Sequence, residues 1–557
     1  MFFNRAKEIF NRYVGRPADD EREGNGPVKN AKKSTDVLYH FLSGLNEGCV
    51  GGNTSVLEVS YDDGSTLRCM VDPGDLFGDK NNPEHPVLSN CDSIIADMRE
   101  YFDHIDPQTG EIVEAKKPLD NIILSHSHKD HIGAISKMML MGYKMPQIYA
   151  TPYTRQRLFQ HLNNEKIPPS EWPHVREIAP GQKLKFPDVE VGFFSVSHST
   201  PQSLGLVFKT KEGSIVHTCD WKMDQSLTWG PNFEPSQYKR MVGDNPTVLL
   251  MDSTGADSDK KPVTEEIFRK TLKKMMKDNP GKRFIIATHP GFEENMASIA
   301  KVTAQDGRKF FIDAWSHSQV FDALRNTGLK LGDHIGEKID VKSLNSAPAR
   351  RELESSKPGD SIVLVAGVMG QKNSSLVRAV NGTNKNLKLD PKKDIILFCG
   401  PNMPGQNREN KYALMAEIKK KGFEVMGHPE YKLYPHAHAR RGEIVELAEM
   451  TSAKYIVPVH GDQHLRDRNE ELLGENGHKV IKLKNGQTLR LKDGKAEIDP
   501  ELTRDPQFIG FETRIGKHWQ ERDYIACFTV NYKRPANEND PPKPDAARKP
   551  RIFQNRR

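Results

Sequence analysis

Seven residues, Ser125-His-Ser-His-Lys-Asp-His131, follow the apolar run Asn121-Ile-Ile-Leu124 and gather three imidazoles and a carboxylate at the mouth of an expected strand. Side chains so crowded would oppose one another's protonation and desolvate poorly without a cation, so the segment reads as a metal site. His126 and His128 lie two apart and point the same way in an extended loop, while Asp130 and His131 stand where a helix over 131–141 is expected to begin. Two metals about 3.5–4 Å apart can each take part of such a cluster. A zinc used for hydrolysis takes about three protein ligands and keeps a position open for water, so more ligands must come from elsewhere. His198, Asp220 and His460 are the candidates, because each ends an apolar, strand-like run, and rigid scaffolds gather functional residues on such loops. Isolated histidines such as His85, His104 and His174 read instead as surface or hydrogen-bonded residues.

Strand-like runs near residues 54–59, 66–71, 121–124, 191–196, 204–208 and 214–218 form one metal-bearing half. From about residue 260 the rhythm changes. A helix over 264–276, a strand over 283–288, a helix from Glu293 and strands over 309–312, 361–365 and 394–398 predict a parallel sheet covered by helices. His460 lies beyond this second unit, so the second interrupts the first.

A net charge of +6 over 557 residues does not by itself signify nucleic acid. Its distribution is more telling, because residues 533–557 hold eight Lys and Arg against three acids, with five prolines. That composition cannot bury a core and predicts a disordered basic tail, which either attracts phosphate or only aids solubility. No run of 18 or more apolar residues occurs, so no membrane-spanning helix is expected. Six cysteines without Cys-x-x-Cys spacing read as reduced thiols of a cytoplasmic protein. Residues 1–14 have apolar side chains at helical spacing, and a linker reaches to about residue 33; they are expected to dock on the enzyme or on a protein partner.

The ordered set Val71-Asp-Pro-Gly74, the His126 cluster, His198-Ser-Thr-Pro-Gln-Ser203, His217-Thr-Cys-Asp-Trp-Lys-Met-Asp224, Met251-Asp-Ser-Thr254, Gly367-Val-Met-Gly-Gln371, Pro401-Asn-Met-Pro-Gly405, His436-Ala-His-Ala439 and Pro458-Val-His-Gly461 resembles the metallo-β-lactamase superfamily. Within it the match is to the β-CASP nucleases, most closely the ribonuclease J family, over roughly residues 36 to 495. The resemblance implies an α/β fold, a metallo-β-lactamase αββα sandwich interrupted by an inserted β-CASP α/β domain. Its expected parts are 34–259 and 429–495 for the sandwich and 260–428 for the insert, then a short segment over 496–532 and the tail over 533–557.

The resemblance further implies two Zn2+ per chain, with Mn2+ as the alternative. His126, His128 and His198 would hold one ion, Asp130, His131 and His460 the other, and Asp220 would bridge them. Asp252 and His438 would meet near the scissile phosphate, His438 protonating the leaving oxygen. The alternative for Asp252 is a cap in the turn after its strand. The implied substrate is single-stranded RNA, cut internally, from the 5′ end, or both, and the family's usual assembly is a homo-oligomer. At the family's 5′-phosphate pocket this chain departs from the pattern, reading Tyr434-Pro-His-Ala-His438. Proline removes a backbone donor and Ala437 replaces a glycine, so Tyr434 and His436 would donate in another geometry, facing the loop with Gly370, Gln371, Ser374 and Ser375. Weaker discrimination among 5′ ends is expected. Two other classes share parts of the pattern: a hydrolase of small thioesters or lactams, which has no use for the insert, Asp252 or His438, and an RNA-binding scaffold, which would have lost ligands.

Overall fold

The computed structural model describes residues 32–46, 50–76, 93–106, 111–327, 340–401, 406–427, 430–515, 522–533 and 543–544. The expected N-terminal helix and most of the basic tail lie outside them. Two sheets form the first unit. One has eight strands in the order Lys495–Asp499, Thr488–Lys492, Ser34–Ser43, Thr54–Tyr61, Thr66–Val71, Asn121–Ile123, Gln147–Ala150 and Val175–Glu177. The other has six, in the order Lys183–Phe186, Val189–Ser195, Leu204–Thr210, Gly213–His217, Val248–Asp252 and Tyr455–Val459.

Both faces of both sheets are apolar, which is why their strands read as nearly continuous hydrophobic runs. Leu57, Val59, Cys69 and Val71 of the first sheet meet Phe193, Leu206, Phe208 and Leu250 of the second in one inner core. Their neighbours point the other way. Val56, Met70 and Ile122 pack under helices Ala134–Leu140 and Pro152–Asn164, and Val216, Leu249 and Ile456 under helices Arg441–Thr451 and Gln463–Glu475. The result is an αββα sandwich. Pro458 falls in the edge strand of its sheet, where a missing N–H costs no internal ladder bond.

A third sheet, with strands Val341–Ser343, Lys309–Asp313, Ser361–Ala366, Arg283–Thr288, Asp394–Phe398 and Glu424–Gly427 in that order, is parallel throughout. Helices cover it on both faces, building two cores around Phe284 and Ile286 on one side and Ile285 and Ala287 on the other. In sequence it falls between strands Val248–Asp252 and Tyr455–Val459, which are parallel hydrogen-bonded neighbours in the second sheet. The chain therefore leaves the second sheet after Asp252 and rejoins it beside the same strand at Tyr455, so that His460 emerges next to Asp252.

The helix expected over 131–141 is two short helices, Lys129–Ile132 and Ala134–Leu140, meeting at Gly133. The sandwich sheet runs to Asp499, slightly past the boundary read from sequence. Strands Gln507–Ile515 and Arg522–Lys533 then pair with each other, and Gln507–Ile515 also pairs with Ser93–Ala96. Of the tail, the described Lys543–Pro544 forms a short strand against residues 532–533. No helix among the described residues is long and apolar enough to cross a membrane.

Candidate active site

Asp220, Asp252 and His460 follow or end three adjacent parallel strands, so one edge of the second sheet delivers all three side chains to one place. His198 leaves the same edge after strand Val189–Ser195. The loop after Asn121–Ile123 brings His126 to His131 across from the first sheet. Gly74 makes that approach feasible, because a Cβ on it would lie 1.8 Å from the Asp130 carbonyl oxygen. Asp72, Cys219 and His460 all adopt left-handed backbone with φ near +50°, a strained conformation for residues other than glycine that recurs where a side chain must be aimed.

Two ligand sets converge. His126, His128, His198 and Asp220 form one, and Asp130, His131, Asp220 and His460 the other, their ligand atoms within 4.8 Å of one another in each. His126 Nε2 and His198 Nε2 are each 3.1 Å from His128 Nδ1. Asp220 Oδ2 lies 3.7 Å from His126 and His198 and 3.3 Å from His131, and Asp220 Oδ1 3.6 Å from His460. Oδ1 is buried and has no hydrogen-bond partner among the described residues.

The outer ring nitrogens are committed to the protein, which fixes where the inner ones point. His126 Nδ1 meets Ser125 Oγ at 3.0 Å, and His131 Nδ1 meets Asp72 Oδ2 at 2.9 Å. His198 Nδ1 donates to the Ala437 carbonyl and His128 Nε2 to the Gly291 carbonyl, both at 2.9 Å. His460 Nδ1 faces Thr254 Oγ1 at 2.7 Å and Asp252 Oδ1 at 3.1 Å. Burial holds His126 and His198 well below the ordinary histidine pKa, so they present lone pairs. For His131 burial is outweighed by Asp220, Asp130 and Asp72, which lift it to about 10. Burial opposes the charge on Asp130 and Asp220 too, but the surrounding histidines keep both well below the carboxylate range. Two imidazoles held neutral, others that can give up a proton to a cation, converging carboxylates and an orphaned buried oxygen are the donor set of a two-cation centre, and they fit it.

His438 stands at the rim, its side chain 21% exposed, with Nδ1 2.7 Å from Asp252 Oδ2. The other oxygen of Asp252 accepts from the Thr254 backbone and hydroxyl. The carboxylate thus makes the local turn and also meets the histidine, so the two sequence readings of Asp252 describe different oxygens.

The residues read as a 5′-phosphate pocket are placed differently. His436 is buried, with Nδ1 on the Val263 carbonyl at 3.0 Å and Nε2 3.1 Å from Glu443 Oε2. Both ring nitrogens are occupied, so the donor role expected for it is corrected to that of a brace. Tyr434 packs against Phe292 with ring centroids 5.1 Å apart. Ala437 is buried and serves through the carbonyl that holds His198. Ser374 caps helix Ser375–Val380, Ser375 Oγ accepts from the Ala366 backbone, and Gly370 and Gln371 close their own turn. Sequence reading missed Asp72, Ser125, Thr254 and Gly291 as supports of the ligands. Asp72 could have been found in Val71-Asp-Pro-Gly74, whereas nothing local marks Gly291.

A family profile described as a β-lactamase superfamily domain matches residues 95–304. Ribonuclease J of Sinorhizobium meliloti is 27% identical over 416 residues, 74% of this chain and 71% of that protein. Ribonuclease J of Mycobacterium tuberculosis is 25% identical over 84% of this chain and 77% of its own length. Ribonuclease J2 of Bacillus subtilis is 23% identical over 85% and 78%. A crystal structure of a protein of unknown function from Enterococcus faecalis V583 aligns with TM-score 0.56 and 17% identity over 82% of this chain and all of that one, a likeness of fold. Sandwich, shared aspartate and paired candidate ligand sets accord with the β-lactamase superfamily domain that the profile marks, a hydrolase domain. These ribonuclease J proteins are homologues over most of the chain.

Proposed function

We propose that the chain is a cytoplasmic di-zinc ribonuclease that hydrolyses phosphodiester bonds of single-stranded RNA in processing or decay. The observation that carries this reading is Asp220, shared by two ligand sets, with the Asp252–His438 pair beside it. Two bound cations would supply a nucleophile from water at neutral pH and neutralise charge growing on the non-bridging oxygens.

The chain's own groups do the rest. Asp252 fixes the His438 ring through Nδ1, leaving Nε2, which makes no hydrogen bond among the described residues, to pass a proton to the departing 3′ oxygen. The insert reaches the site at Gly291, whose carbonyl meets His128, so a single strand bound at the candidate centre would lie beside both units. A hydrolase of small thioesters would have no use for Asp252 and His438 in this arrangement.

The test is hydrolysis of one RNA carrying a 5′ monophosphate, triphosphate or hydroxyl, labelled at either end, with zinc or manganese. Cleavage lost in Asp130→Ala and His128→Ala is expected, and the label pattern distinguishes cutting from the 5′ end from internal cutting. An RNA left intact by a chain that hydrolyses a lactam or thioester overturns the proposal.

A further inference from the structure

His128 differs from the other ligand candidates in its orientation. Its Nδ1 faces His126 and His198, so its Nε2 points away from the sandwich, into the inserted unit. There the Gly291 carbonyl accepts from it at 2.9 Å, and Glu293 Oε2 stands 3.8 Å away.

Glu293 is the first residue of helix Glu293–Gln305 and its side chain is 1% exposed. Oε2 is buried with no hydrogen-bond partner among the described residues, while Oε1 receives the Tyr153 hydroxyl at 3.3 Å and lies 3.7 Å from Arg157 Nε. A carboxylate stripped of water needs a cationic neighbour. The separation from His128 is too long for a hydrogen bond, so Glu293 acts on that imidazole through charge, supporting electron density at Nδ1. The next residue anchors the helix: Glu294 accepts the backbone N–H groups of Thr228, Trp229 and Gly230 and donates its own to the Ser199 carbonyl, next to His198.

We infer that Glu293 is a positioning residue through which the inserted unit sets the metal affinity of the ligand set containing His128. The inference rests on the reading of His128 as a ligand. Docking of the insert and loading of that metal are then one coupled event, since the carbonyl and the carboxylate that orient His128 both come from the insert.

The experiment is chelator competition on the full chain loaded with zinc alone, without RNA, alongside the thermal midpoint of the metal-free chain. Glu293→Gln keeps the volume and removes the charge, and should weaken one of two zinc ions about 10–100-fold with the metal-free midpoint unchanged. Glu293→Asp should recover part of that loss. Two ions held as tightly as in the wild type would overturn the inference and leave the metal centre standing. Equal weakening of both ions with a lowered metal-free midpoint would assign Glu293 a merely structural role and also overturn it. A wild-type chain that holds no zinc removes the ligand reading itself.

Discussion

His438 donates from Nδ1 to Asp252 Oδ2 across 2.7 Å, although 186 residues separate the two in the chain. The whole insert is threaded between them, and the pair forms because the segment that re-enters the sandwich before helix Arg441–Thr451 passes the end of strand Val248–Asp252. If His438 is the acid, His438→Ala should lower turnover by about 10²–10⁴ while metal content stays constant. Asp252→Asn touches more, since Asp252 Oδ1 also faces His460. It should lower turnover and also weaken metal retention about 10–100-fold. Single-turnover kinetics with elemental analysis after dialysis separates the two, and metal loss from His438→Ala would contradict the assignment.

Loading the centre should expel protons. His131 and His460 lie above the ordinary histidine pKa because carboxylates outweigh the burial that opposes their charge, whereas a ligand imidazole must be neutral. Zinc affinity should therefore climb with pH toward about 10, the value for His131. For the metal-free chain the sign reverses. A raised His131 stabilises the fold fully below the unfolded pKa, and that contribution disappears as pH rises through about 10. Calorimetry of zinc binding in buffers of different ionisation enthalpy measures the release; a heat independent of buffer would rule it out.

Gly74→Ala should act through the backbone of the loop that carries Asp130 and His131. The new Cβ would strike the Asp130 carbonyl, and the loop can yield only by moving Asp130 and His131. A loss of about 1–3 kcal/mol of stability and of one metal ion is expected from denaturant titration and zinc counting. Full zinc content at wild-type stability would mean the loop has slack the structure does not suggest.

His436→Ala should cost stability rather than selectivity. Removing the ring takes one hydrogen bond from the Val263 carbonyl and the charge-assisted one from Glu443, which keep only backbone donors, a loss of about 1–3 kcal/mol. The ratio of cleavage rates for monophosphate and triphosphate RNA should stay as in the wild type. A ratio that collapses at unchanged stability would return His436 to the substrate.

The convergence of the candidate ligands His198, Asp220 and His460 was legible because each follows an apolar run, and strand ends on one side of a sheet converge whatever the loops do. His126 follows an apolar run of the facing sheet and meets them from across the sandwich. The parallel insert was legible too, from helix and strand in alternation. What sequence could not reveal depends on the insert folding back over the sandwich. Gly291 is an ordinary turn glycine, and Glu293 an ordinary acid in the first turn of a helix, until the fold sets them behind His128. His436 erred the other way. Its neighbours in the chain suggested a pocket, but Glu443 lies one helical turn into Arg441–Thr451 and captures its ring.

The interruption of the second sheet also imposes a timetable. The ligand set of His126, His128, His198 and Asp220 has left the ribosome's catalytic centre well before His460 is made, with the whole third sheet synthesised in between. At about 5–20 residues per second, the growing chain spends roughly ten seconds or more with one set of ligands complete and the other lacking its last histidine. Until strand Tyr455–Val459 joins Val248–Asp252, the nascent protein has the donors for one ion and for half a centre.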